Sequence, residues 1–564
     1  MTVAPTDDRQ WWKEAVVYQI YPRSFNDTTG SGSGDLPGIT EKLDYLSDLG
    51  VDVVWLSPVY DSPMNDNGYD VRDYRAINPL FGTMADFDEM LAGMRDRGLQ
   101  LMMDLVVNHT SSEHRWFRRA RTSADNPYRD YYHWQPPADD GGPPTNWRAF
   151  FGGSAWTFDE RTEAYYLHLF DETQPDLNWT NPAVRAEVYD IMRFWLEKGV
   201  DGFRMDVIPL LSKPPIEDDP HPERGDLHEL YANGPKVHDY LREMNRRVLA
   251  DYDVMTVGEG HGIDPEDALL YAGEDRNELQ SFFYFDHVWL TRDEDDWNRP
   301  DDWTLPELKT AITRWDRAFG DRAWPSVFLG NHDLPRAVST FGDDRPEYRR
   351  RSAKMLATLL LTLRGTPYLY QGDEIGMTNA LFQSLDDFED LNTINDVHEK
   401  VAAGMARQTA LANHREISRD HARTPMQWEA SEHAGFTDGT PWLDVNPNHD
   451  RINVEAARDD PGSVWHYYRR LIALRRERDV LVYGDYELVA PDHPAVFAYL
   501  RTLGDEQVIV LLNFTDDDRR FELPDDLTEA EVSHLMGTYD DAPAVEGTVS
   551  LRPYEGRIEE RVED

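Results

Sequence analysis

The sequence contains no cysteine, so disulfides, thiol nucleophiles and cysteine-ligated metal sites are excluded at once. Lysine is nearly missing too. Eight of the 57 basic side chains are lysine and the rest arginine, against 106 aspartates and glutamates, for a formal charge of −49. A surface of that sign repels nucleic acid and anionic membranes, so neither is expected as a partner. No run of about 20 apolar residues occurs, and the opening MTVAPTDDRQWW lacks the apolar stretch of a signal peptide. We therefore expect a chain that stays in the cytoplasm and off the membrane. What is present is core-forming material: 564 residues, 40% hydrophobic, with 17 Trp, 27 Tyr and 22 Phe. That is enough for roughly two to four folded units, not a disordered acidic chain.

Near-elimination of lysine on an acidic surface resembles the proteins of extreme halophiles, whose carboxylates are screened at multimolar salt. Along the chain, short β-branched runs alternate with helical patterns. They predict strands at 16–21, 53–56, 101–107, 202–207, 254–257, 282–285, 326–329 and 367–370. Between the third and fourth, Asn181 as N-cap, Pro182 at the first helical position and Gly199 as stop bound a helix. Eight strands with crossover helices predict a (β/α)8 TIM barrel, usually built on about 250 residues. The surplus length must lie in insertions. Residues 1–107 and 175–481 are expected to form the barrel, with 108–174 an inserted loop-rich domain after strand 3 and 377–444 an irregular insertion after strand 8. Residues 482–564, alternating without crossover helices, are expected to form a C-terminal antiparallel β-sandwich.

The stretch GVDGFRMDVIPL, 199–210, poses a problem for a buried strand. Arg204 and Asp206 point one way from it and Phe203 and Met205 the other. Charges in a core are costly unless paired or used. The ends of the other strands carry more of them: Asp104, Asn108 and His109, then Glu259, then His332 and Asp333. A barrel does its chemistry at those ends, so three carboxylates, Asp206, Glu259 and Asp333, are expected at one mouth.

The segments DLVVNHT, QPDLN, GFRMDV, TVGEG and FLGNHD resemble the sequence regions of the α-amylase family of retaining glycoside hydrolases. YQIYPRSF, NGYDVRDY, FGGSAW, YYLHLF, ANGPKVHDYL and RTPMQW are similar to its oligo-1,6-glucosidase and α-glucosidase branch. The resemblance implies Asp206 as nucleophile, Glu259 as acid/base and Asp333 as stabiliser of the oxocarbenium-like transition state. Two carboxyls about 5–5.5 Å apart are what a retaining enzyme needs. Arg204 would favour the ionised form of Asp206, while the negative neighbours Asp206 and Asp333 would raise Glu259. His109, His332 and Asp70 would hydrogen-bond the glucose ring, Arg423 would add a contact, and Tyr69 would give a stacking platform. Val207, after the nucleophile, resembles members that favour α-1,6 bonds.

The resemblance thus implies exo-removal of glucose from a small oligosaccharide, by a monomer or small homo-oligomer. The alternatives are an α-1,4-glucosidase, a transglucosylase and a sucrose isomerase, although the arginine-rich segment of the isomerases is not apparent in FDHVWLTRDEDDW. A more distant one is a non-catalytic transporter-associated subunit. No cofactor is required for the chemistry. The loop NDTTGSGSGDL stands where relatives carry D-x-N-x-D-G-x-G-D. Asp27 and Asp35 match and the Ser33 carbonyl could contribute, but Thr29 and Ser31 replace an amide and a carboxylate. Either a structural Ca²⁺ or Mg²⁺, or a glycine-rich turn without an ion, fits that pattern.

Overall fold

The computed structural model describes residues 9–221, 227–294, 296–523, 531–543 and 547–562. The opening residues 1–8 lie outside them, as do 524–530, 544–546 and 563–564 of the C-terminal unit. The eight barrel strands are Val17–Ile20 (β1), Val53–Leu56 (β2), Gln100–Leu105 (β3), Gly202–Met205 (β4), Met255–Glu259 (β5), Ser281–Phe283 (β6), Trp324–Phe328 (β7) and Thr366–Tyr370 (β8). All pairings are parallel and each strand neighbours the next, with β8 returning to β1 to close the barrel. With packed side chains filling the barrel interior and helices covering its outside, both faces of the sheet are buried, which is why the strands read as apolar runs.

The period of two sorts the side chains. Val17, Val53, Trp55, Met102, Met255, Val257, Phe283 and Tyr368 fill the barrel interior. Tyr18, Val54, Met103, Phe203, Met205, Phe282 and Leu369 pack outward against the helices. Each fully buried large apolar side chain contributes about 1.5–3 kcal/mol. By this parity Asp104 follows Met102 inward, Glu259 follows Val257, and Arg204 lies between them, in register with both Asp104 and Val257.

The helix Pro182–Lys198 forms as its caps predict. Asn181 accepts the Ala183 N–H, and Gly199 ends it at φ 102°. A Cβ there would also strike the Arg95 guanidinium at 1.5 Å. Its apolar stripe, with Val184, Val188, Met192 and Trp195, seats on the barrel, and the Trp195 indole donates to Tyr74 O at 2.9 Å.

Between β3 and β4 a three-stranded antiparallel sheet is built from Trp134–Gln135, Ala164–Leu167 and Trp156–Asp159. The stretch 377–444 is not irregular as expected. It holds two helices, Leu391–Ala402 and Arg407–Ile417, closed over Phe382, Phe388, Val397, Ala410 and Leu411. The first fully buries one apolar side chain, Val397, and the second three, Ala410, Leu411 and Ile417, so the helical period is drowned by polar positions. At the C-terminus a five-stranded antiparallel sheet faces a two-stranded one. Val496, Ala498, Ile509 and Leu511 meet Phe521, Val549 and Leu551 between them. The other face of the larger sheet, with Phe497, Tyr499 and Val510, packs on the barrel unit.

Candidate active site

At the mouth of β3, β4 and β5 a single guanidinium holds three carboxylates. Arg204 Nη1 lies 2.7 Å from Asp104 Oδ1 and 2.6 Å from Asp206 Oδ1, and its Nη2 lies 2.7 Å from Glu259 Oε1. Arg204 is 2% exposed, so these are desolvated, charge-assisted contacts. Three carboxylates on one cation cannot all ionise in a buried site, and protons are retained. Burial pushes Asp104 up to about 6 and Asp206 well above the ordinary carboxylate range, more than Arg204 offsets. Glu259 is also buried, but Arg204, His261 and the Val207 N–H together hold it down to about 2. That N–H donates to Glu259 Oε2 at 3.0 Å, and His261 Nε2 stands 3.5 Å from Oε1. This reverses the order expected from the sequence. Arg204 serves Glu259 as well as Asp206, and Glu259 alone gains an amide and an imidazole.

Asp333, after β7, sits in a second cluster. Its Oδ1 accepts from Arg423 Nη2 at 2.7 Å and Arg419 Nη1 at 3.3 Å, and its Oδ2 lies 3.3 Å from His332 Nε2. Although burial opposes it, His332 and the two arginines hold Asp333 well below the usual carboxylate range. Arg419 is locked in turn by Asp390, with Nη2 2.6 Å from Oδ1.

Tyr69 joins the two clusters. Its hydroxyl donates to Asp104 Oδ2 at 3.0 Å and lies 2.6 Å from His332 Nε2, and its ring stacks on the imidazole at 5.3 Å and 6°. Gln19 Nε2, 2.8 Å from His332 Nδ1, assigns the imidazole proton to Nε2, giving a relay His332 to Tyr69 to Asp104. Burial lowers His332 and His109 to about 4, so both are neutral hydrogen-bonding groups at pH 7. His109 Nε2 lies 3.1 Å from Tyr69 O and 3.2 Å from Gln174 Nε2.

Asp70 is not at the mouth. Its carboxylate accepts from Ser62 Oγ (2.8 Å), the Asn65 N–H (3.0 Å) and the Asp66 N–H (3.2 Å), so it braces the turn beneath. Asp66 takes its place, with Oδ2 accepting from Gln174 at 3.0 Å and Oδ1 3.8 Å from Arg419 Nη2. The cause is local: Asn67 and Gly68 both have positive φ, 50° and 105°, and that turn points the preceding acid in and the following one back. The Asn-Gly pair was a signal available in the sequence.

Val207 lies two residues past the end of β4, not within it, at φ 37° and ψ 42°. A β-branched residue in the left-handed region costs about 1–3 kcal/mol. The strain places its N–H on Glu259 and its side chain among Trp147, Trp156, Leu169 and Tyr231 of the adjoining wall. That wall bends over the mouth. Phe170 lies 5.2 Å from the His109 ring, and the Arg419 guanidinium covers Phe151 at 4.9 Å. Asn395 donates to Phe151 O at 3.1 Å, and Arg148 pairs with Glu399 at 3.2 Å.

In the glycine-rich loop the proposed ligands face protein donors. Asp27 Oδ1 accepts from the Thr29 N–H and hydroxyl (2.9 Å each) and Oδ2 from the Gly32 N–H (2.7 Å) and Thr437 hydroxyl (2.6 Å). Asp35 caps the helix Leu36–Glu41 through the Gly38 N–H and accepts the Thr28 N–H, while Ser31 Oγ donates to the Ser33 carbonyl. Oxygens already surrounded by N–H and O–H donors do not fit a divalent cation. Among the described residues no group of three His, Asp or Glu gathers that could hold one.

Residues 19–484 match the alpha amylase catalytic domain, and residues 496–558 match the alpha-amylase SusG C-terminal domain. The chain belongs to the α-amylase family. It is therefore an enzyme, a glycoside hydrolase. An oligo-1,6-glucosidase of Parageobacillus thermoglucosidasius is 54% identical over 559 residues, covering 98% of this chain and 99% of that protein. A trehalose-6-phosphate hydrolase of Bacillus subtilis (strain 168) is 48% identical over 560 residues, 98% of each chain. Among solved structures, an isomaltulose synthase variant from Erwinia rhapontici NX5, in complex with its natural substrate sucrose, superposes with a TM-score of 0.96 at 45% identity over the whole of both chains.

Within this α-amylase-family site the sequence reading missed Asp66, Gln174, Arg419 and His261. Gln174 stands in QPDLN and Arg419 four residues before Arg423, so a motif search one turn wider would have reached both. His261 had no signal beyond the glycines that flank it.

Proposed function

We propose that the protein is a retaining, exo-acting α-glucosidase that releases terminal glucose from short oligosaccharides, with α-1,6 (isomaltose-type) bonds preferred. The observation that carries this is the pairing of Asp206 and Glu259 on the two nitrogens of one guanidinium. Such a mount supports one carboxylate attacking the anomeric carbon while the other protonates the departing oxygen. Asp206 forms the C–O bond of a glucosyl-enzyme, and the electron pair of the broken bond leaves on the aglycone oxygen with the Glu259 proton. Glu259, now a base, takes a proton from water, which displaces Asp206. Asp333, ionised between Arg419 and Arg423, is suited to positive charge developing on the ring, and Asp66, His109, Gln174, Tyr69 and His332 are suited to grip hydroxyls. No step calls on a metal. The wall of Phe151, Phe170 and the helix Leu391–Ala402 narrows the mouth as an exo-enzyme needs.

Isomerisation is disfavoured by Arg292. It is the one arginine in FDHVWLTRDEDDW, where the isomerases carry an arginine-rich segment, and it is 6% exposed with its Nη2 donating to Ile417 O. The near absence of lysine favours an enzyme adapted to concentrated salt, and a cytoplasmic location and a monomer or small homo-oligomer complete the proposal. The enzyme's melting temperature should rise with molar KCl, and equal values with and without salt would overturn the salt adaptation. Among the described residues no helix is long and apolar enough to cross a membrane. The test of the activity is glucose release from isomaltose and maltose, side by side, in multimolar KCl. Faster release from isomaltose is expected. Faster release from maltose would move the enzyme to α-1,4 bonds, and glucosyl transfer to sugar in place of water would make it a transglucosylase.

A further inference from the structure

The loop after β5 reads E-G-H-G-I, and both glycines are forced. A Cβ on Gly260 would lie 1.9 Å from the Phe282 ring, and one on Gly262, at φ 66°, 2.4 Å from His228 Cβ. The turn they permit delivers His261 between two rings, Phe285 at 3.8 Å and 30° on one face and His228 at 4.9 Å and 25° on the other. Clamped so, the imidazole presents its Nε2 edge to Glu259 Oε1 at 3.5 Å. Its Nδ1 is buried and has no hydrogen-bond partner among the described residues, so no second contact on that side fixes the tautomer. Behind the loop, Gly260 and Gly262 line a cavity of about 660 Å³.

The other groups facing Glu259 are Arg204 and the Val207 N–H in contact, and Asp206, Asp104, His332 and His228 at longer range. Arg204 keeps its proton throughout. Burial keeps His332 and His228 neutral. That leaves His261 as the one side chain in contact with Glu259 that can serve either as a cation or as a neutral acceptor.

We propose that His261 is a positioning residue that decides which carboxyl of the Asp206–Glu259 pair carries the proton. The proposal rests on the glycosidase reading above. As imidazolium it pins Glu259 as a carboxylate and leaves the proton on Asp206, an unreactive arrangement. As neutral imidazole its Nε2 accepts a hydrogen bond from the Glu259 carboxyl. The proton then sits on the acid, and Asp206 is ionised against Arg204.

The experiment is the pH profile of kcat/KM for isomaltose hydrolysis by wild type, His261→Phe and His261→Gln. Phe keeps the stack on Phe285 and Gln keeps a polar edge, but neither can become a cation. Both should extend activity into acid, moving the acidic limb down by about one pH unit, while kcat falls several-fold for want of the oriented acceptor. A purely structural role would lower kcat or stability and leave the limb in place, and an unmoved limb in the active variants overturns the proposal. Should either variant misfold, ¹³C-labelled histidine spectra of wild type and Glu259→Gln decide: the His261 titration midpoint must fall when the carboxylate is removed, and an equal midpoint overturns the proposal. Wild type that releases no glucose, or a fully active Glu259→Gln, would instead sink the glycosidase reading.

Discussion

Two arginine–carboxylate clusters meet at the same barrel mouth, and they differ in charge balance. Around Arg204 one cation faces Asp104, Asp206 and Glu259, while two cations, Arg419 and Arg423, face Asp333 and Asp390, with Asp66 at the rim 3.8 Å from Arg419. The first is short of positive charge and keeps protons; Asp104 and Asp206 are raised by burial. The second is balanced, and Asp333 stays ionised far into acid. Proton transfer needs a site of the first kind, where a small change moves a proton from one oxygen to another. Stabilising a passing positive charge needs the second, whose own charge must not change.

The sharpest way to break that distinction is to remove the groups assigned to proton transfer and attack. Asp206→Asn or Glu259→Gln should reduce turnover by about 10²–10⁴-fold or more with the fold intact. A folded Asp206→Asn enzyme at near wild-type rate would end the assignment. Next comes the rim of the balanced cluster. Asp66→Asn should cost about 10-fold or more in kcat/KM, as one charged contact to a hydroxyl is lost. Asp70→Asn should leave kinetics nearly unchanged and show itself in thermal stability, and the opposite pattern would restore Asp70 to the site.

A smaller effect concerns selectivity. Val207→Ala should raise maltose relative to isomaltose hydrolysis by several-fold, within the ~1–3 kcal/mol one side chain beside a pocket supplies. An unchanged ratio would confine Val207 to its backbone role. The smallest expected effect is in stability against pH, and its sign separates the clusters. Asp206, raised in the folded state, contributes stability below the unfolded carboxylate value near 4 that is lost as pH rises, so Asp206→Asn should be the more stable protein at pH 7. Asp333, depressed, contributes above about pH 4 and loses that only in strong acid, so Asp333→Asn should be less stable at pH 7. Calorimetry from strong acid to pH 8 reads both.

Much of this was legible beforehand. The eight strands announced themselves because a strand buried on both faces is a short apolar run, and the helix Pro182–Lys198 because its caps are chemically explicit. The helices Leu391–Ala402 and Arg407–Ile417 did not, since they bury too little to imprint a period. Of the site, the acids at strand ends could be read from parity alone. Which of Asp66 and Asp70 turns inward depended on a two-residue left-handed turn.

By itself the sequence determined the barrel, the inward direction of Asp104, Arg204 and Glu259, and the membership of Asp206 and Asp333 in one mouth. Those follow from periodicity within a strand and from where strands end, both local properties. Only the tertiary structure decided that Arg204 is shared among three acids, that Arg419 reaches Asp333 from 86 residues away, and that His261 stands against Glu259. A proton's place depends on distances across strands and loops and on how deeply each group is buried. Neither quantity exists until the chain has closed around it.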